Sequence, residues 1–64
     1  MNDQELALIY GLYKQAINGD HTESRPLFDW WAQAKWDAWE AQRGKSKEQA
    51  AAEYVEVAKA ILEK

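Results

Sequence analysis

The chain has 64 residues and a formal charge of −3, from 11 acidic and 8 basic side chains. One domain over residues 1–64 is the expectation at this size, and its core is small because only about 60% of the unfolded surface is buried on folding. The absence of cysteine excludes disulfides and thiolate zinc sites, and the acidic balance argues against general nucleic-acid binding.

Alanine, glutamate, lysine, glutamine and leucine dominate, with one proline and three glycines, so an all-α chain is expected. The first helix is predicted from Asp3 to Ile17, with Asn2 and Glu5 as its start signal and Asn18-Gly19 as its stop. Leu6, Ile9, Tyr10, Tyr13 and Ile17 recur at helical spacing. Leu6 to Tyr10 is too short an apolar run, without a basic lead-in, to read as a signal peptide. No stretch is long enough to span a bilayer.

Residues 18–28 read as a polar loop punctuated by Gly19 and Pro26. It is long for a connection between helices, so it either packs down or has a task. His21 lies there with Asp20 and Glu23, but a single histidine falls short of the usual metal or acid–base sets, and a solvated loop explains it. No phosphate-cradling glycine loop or nucleophile elbow is present, so catalysis is not expected.

The second helix is predicted from Asp29 to Gln42, with Gly44 beyond its end. Ala32, Trp36 and Trp39 form one stripe, with both tryptophans read as core, and Lys35 stands beside Trp39. Adjacent Trp30 and Trp31 point about 100° apart, so at least one is expected at the surface. The third helix begins at Ser46-Lys47-Glu48-Gln49, which has the form of a capping box. Ala51, Tyr54, Val55, Ala58, Ile61 and Leu62 are read as its apolar face. Glu48, Glu53, Glu56, Lys59, Glu63 and Lys64 are read as mainly solvated.

Tyr10, Tyr13, Lys14, Lys35 and Tyr54 have two readings. Such stripes usually mean core edges with solvated lysines. Aromatic faces also stack on bases, and ammonium groups hold phosphate. In chain order the segments "YGLYKQA" (10–16), "GD" (19–20), "RP" (25–26), "AKWDAW" (34–39) and "GKSKEQA" (44–50), followed by Tyr54, closely resemble the acyl-CoA-binding protein family over nearly the whole sequence.

The resemblance implies an up-down-down-up bundle of four helices and a non-catalytic cytoplasmic carrier of long-chain acyl-CoA thioesters, with no further cofactor. It assigns the nucleotide end to Tyr10, Lys14, Lys35 and Tyr54, with Tyr13 in support, and makes Trp36 and Trp39 the anchors that aim Lys35. In the family, one more helix precedes the "YGLYKQA" segment and packs on the last helix. Here Met1-Asn2-Asp3 leads directly into that segment. The loop is a residue shorter than is usual in the family, and Trp31 and Gln33 stand where basic or small residues are common. Leu6, Ile9, Trp31, Val55, Ala58 and Ile61 are then expected at the acyl chain or at an interface. A homodimer covering the third helix follows as an expectation. The alternative is a shortened or engineered self-associating helical scaffold with little affinity for acyl-CoA.

Overall fold

The computed structural model describes residues 2–63; Met1, and Lys64 with its expected solvation, lie outside them. Three helices follow one another: α1 (Asp3–Asn18), α2 (Trp30–Glu40) and α3 (Lys47–Leu62). The chain ends of α1 are set by local chemistry. Glu5 N–H donates to Asn2 Oδ1 (2.8 Å) and Asn2 N–H donates to Glu5 Oε1 (3.1 Å), a complete capping box. At the other end Gly19 adopts φ 73°, a conformation that side chains disfavour, and its N–H donates to the Gln15 carbonyl.

At α2 the cap is Asp29, which holds a positive φ of 72° and accepts from the Trp31 and Ala32 amides. Asp tolerates this region better than bulkier residues do. The helix is shorter than predicted, because residues 41–44 continue as turns; Asp29 stands outside it as the cap. The predicted box at α3 is half made. Ser46 Oγ accepts from Gln49 N–H (3.0 Å), but the Gln49 side chain turns to Glu53 Oε2 (3.0 Å).

Among the described residues, α1 packs against both α2 and α3, which do not pack on each other. The result is a flattened molecule of 36 × 26 × 13 Å. Burial is confined to two seams, and this explains where the periodicity misleads. Leu12, Gln15 and Ala50 are fully buried, while Leu6, Tyr13 and Ile17 of the predicted α1 stripe are exposed. A helix with a neighbour on each side buries the residues between its two contact faces. On α3 the covered stripe runs through Ala50, Tyr54, Val57 and Ile61; Ala51, Val55 and Leu62 point outward. The helices α1 and α2 meet at Gly11, where a built Cβ would stand 2.1 Å from the Ala38 carbonyl oxygen.

The loop packs down. His21 is buried, against the expectation of a solvated position, with its ring edge-on to Trp36 (4.7 Å) and 5.4 Å from Trp39. Its Nε2 pairs with Glu40, and Arg43 donates to its carbonyl oxygen (3.1 Å). Arg43, more than the histidine, holds the Glu40 carboxyl below its ordinary value. Gln15 is the polar centre of the seam: its Nε2 donates to Asp20 Oδ1 and to the Lys45 carbonyl, both at 2.8 Å. Its Oε1 accepts from Trp39 Nε1, which also donates to the Gly19 carbonyl. Asp20 further accepts from the Gly44 amide, the main cause of its lowered pKa.

Candidate functional site

A cavity of about 230 Å³ opens between α1, the loop and α2. α1 contributes Tyr10 and Lys14, four apart and therefore on one face. α2 contributes Ala32, Lys35, Trp36 and Trp39, a run at helical spacing around Lys35, and the loop contributes Glu23 and Pro26. Periodicity carries no sign of these last two, because loop residues reach the cavity only through tertiary packing. The α2 residues were legible as neighbours of Lys35, three before it and one and four after it.

Trp36 is a wall of this cavity as well as an anchor, not the fully buried core residue that its spacing suggests. Its Nε1 donates to the Glu23 carbonyl (2.9 Å), which fixes the loop against α2. Trp39 is buried, and Lys14 Nζ lies 5.0 Å from the centroid of its ring. Such a contact attracts a cation by about 0.5–1 kcal/mol or more. Among the described residues neither Lys14 nor Lys35 makes a hydrogen bond or an ion pair. The cavity therefore presents two ammonium groups without a hydrogen-bond or ion-pair partner among the described residues, Lys14 over the Trp39 ring and Lys35 beside it in the lining, with the Tyr10 phenol ring. That combination suits an anionic ligand bearing an aromatic base. Among the described residues, no group of three or more His, Asp or Glu is placed to hold a metal ion.

A second, more apolar cavity of about 180 Å³ lies on the other side of α1, lined by Ile9, Tyr54, Ala58, Ile61 and Leu62. Tyr54 thus faces a different cavity from Tyr10, Lys14 and Lys35. The link between them is Tyr13, whose ring centroid is 6.3 Å from that of Tyr54 and which follows Tyr10 by three positions on α1. Leu6 and Val55 are exposed and line neither cavity, and Trp31 is exposed and stacked on Trp30.

The family model described as acyl CoA binding protein matches residues 1–58. The chain belongs to the acyl-CoA-binding protein family. It is 46% identical to an acyl-CoA-binding protein of Brassica napus over 63 residues, 97% of this chain and 68% of that protein. It is 47% identical to acyl-CoA-binding domain-containing protein 2 of Oryza sativa subsp. japonica, over 98% of this chain and 70% of the relative. The crystal structure of Oryza sativa acyl-CoA-binding protein 2 superposes with a TM-score of 0.94 at 47% identity, covering 98% of this chain and 71% of that one. The all-α fold of the acyl-CoA-binding proteins is therefore present here, with three helices among the described residues. Among the described residues no helix is long and apolar enough to cross a membrane.

Proposed function

We propose that this single 64-residue domain binds long-chain acyl-CoA as a non-catalytic cytoplasmic carrier, with no cofactor of its own. The observation that supports this most is the pair Lys14 and Lys35, both unpaired, beside Tyr10 in one cavity. Membership of the acyl-CoA-binding protein family supports it independently. Sites that enclose a drug-sized ligand usually measure ~300–1,000 Å³. A cavity of about 230 Å³ suits one end of so large a molecule. The phosphates meet the two lysines, and the base lies against Tyr10, with Tyr13 and Tyr54 as the adjoining aromatic surface. The acyl chain runs over Leu6 and Ile9 toward Ala58 and Ile61, with Val55 and Trp31 at its margins.

Calorimetric titration with palmitoyl-CoA tests the assignment. Loss of a charge-assisted bond costs about 1.5–3 kcal/mol, so Lys35→Ala weakens binding by roughly ten- to a hundredfold. Lys59→Ala, on the exposed side of α3, leaves it unchanged. Equal losses in the two variants would refute the site.

The apolar cavity on α3 supports a further reading, a homodimer in which the partner covers Tyr54, Ala58, Ile61 and Leu62. Light scattering over a dilution series decides this, and a constant monomer mass at high concentration rules it out. A scaffold without ligand affinity is not favoured, given the close match to the acyl-CoA-binding proteins along the whole chain.

A further inference from the structure

Among the described residues that line the larger cavity, Glu23 is the one acid. Its place is fixed through the backbone. Trp36 Nε1 donates to the Glu23 carbonyl oxygen (2.9 Å), which holds this part of the loop against α2. The Glu23 carboxylate has no hydrogen-bond or ion-pair partner among the described residues, and the residue is exposed.

The neighbouring charges are engaged elsewhere. Arg25 is the only basic residue between His21 and Lys35 in sequence, and it makes a two-point pair with Asp37 (both bonds 3.0 Å). Arg43 pairs with Glu40 (2.9 Å) and approaches Asp20 (3.9 Å), and Glu40 also pairs with His21. Asp29 caps α2. The cavity is thus left with three charges that lack an ionic partner: Lys14, Lys35 and Glu23.

Two positive charges attract a phosphate that enters, and the carboxylate repels it. We propose that Glu23 is a charge-selecting residue of this site. It weakens binding in proportion to the negative charge of the guest, and so restrains affinity for the most heavily phosphorylated nucleotides. A hydrogen-bond acceptor for a base amine or a ribose hydroxyl fits less well. That role needs a carboxylate held in place, and no side-chain bond holds this one, whereas repulsion acts without contact. The identity of the guest rests on the acyl-CoA reading; the repulsion needs only a phosphate in the cavity.

Calorimetric titration of Glu23→Gln, Glu23→Lys and Glu56→Gln tests this. Glu56 is an exposed acid on α3 outside the cavity, so its variant makes the same change in net charge. The loop bond uses the Glu23 carbonyl, so these substitutions leave it in place. Glu23→Gln tightens palmitoyl-CoA by about two- to fivefold, the range of a screened charge pair. Glu23→Lys tightens it further, and Glu56→Gln does not change it. The gain shrinks with palmitoyl-dephospho-CoA, which lacks the 3′-phosphate. A second probe, adenosine 3′,5′-bisphosphate, shows the same gain at low salt and loses it in about 1 M sodium chloride, where the screening length is about 3 Å.

Unchanged or weaker binding by Glu23→Gln overturns the proposal, as does an equal gain in Glu56→Gln. A gain that survives high salt, or is the same for the dephospho guest, overturns it too. If no chain binds palmitoyl-CoA but Glu23→Gln still tightens the bisphosphate, the carrier reading fails and the charge selection stands. If no chain binds either probe, both fall.

Discussion

Gly11→Ala exposes a conflict between helix propensity and helix packing. Taken alone, alanine in a helix interior stabilises by about 1 kcal/mol relative to glycine. At this position the new methyl would lie 2.1 Å from the Ala38 carbonyl oxygen and 2.7 Å from its carbon. Ordinary non-bonded separations are about 3.5–4.0 Å, so α1 and α2 must part by roughly 1 Å or more. The obstacle is backbone, so no rotamer change relieves it. Overpacking that side chains can absorb already costs about 1–3 kcal/mol. With the propensity gain deducted, a net loss of about 2 kcal/mol is expected, a fall in Tm on the order of 8–16 °C for a domain of this size. Thermal melting followed by circular dichroism measures it. Calorimetry with palmitoyl-CoA gives a second readout, since Lys14 and Lys35 sit on the two helices being forced apart. A variant as stable as the wild type would refute the close approach of α1 and α2.

Gln15→Leu keeps the volume of the side chain but strands the Lys45 carbonyl and removes one acceptor from Trp39. At about 1–3 kcal/mol per stranded group, Tm falls by roughly 4 °C or more, and an unchanged thermal melt would refute the role of Gln15. Asp20, Asp37, Glu40 and Glu53 all have depressed pKa values in the folded chain, led respectively by hydrogen bonds from the Gly44 amide, Arg25, Arg43 and Lys45. Groups depressed by folding stabilise above their unfolded pKa values and cease to do so as pH falls through the folded ones. Stability therefore declines below about pH 4, and Asp20→Asn flattens part of that decline in melts recorded from pH 6 to pH 2.

The limits of α1 and the start of α3 were legible because they are written locally, whereas α2 ends two residues short of the expected Gln42. Asn2 with Glu5, Gly19 and Ser46 each act within a turn of their own position. Tyr10, Lys14 and Lys35 could be assigned together through the resemblance, and they do share a cavity. Tyr54 faces the opposite side of α1, which no spacing within α3 reveals. Gln15 reads as a surface residue in any hydropathy pattern; it is buried because Asp20, Trp39 and Lys45 converge on it from two loops and a helix. His21 is similar, since its partners Glu40 and Arg43 lie about twenty positions away in sequence. The α3 stripe shifted from Ala51 to Ala50 because alanine runs from 50 to 52 and fits either phase.

Consecutive residues of α1 serve opposite sides of the molecule: Ile9 lines the apolar groove while Tyr10 lines the cationic one, and the next pair repeats the division with Tyr13 toward Tyr54 and Lys14 toward Trp39. Both grooves are cut along one rod, so no turn of the rod adjusts one groove without shifting the other.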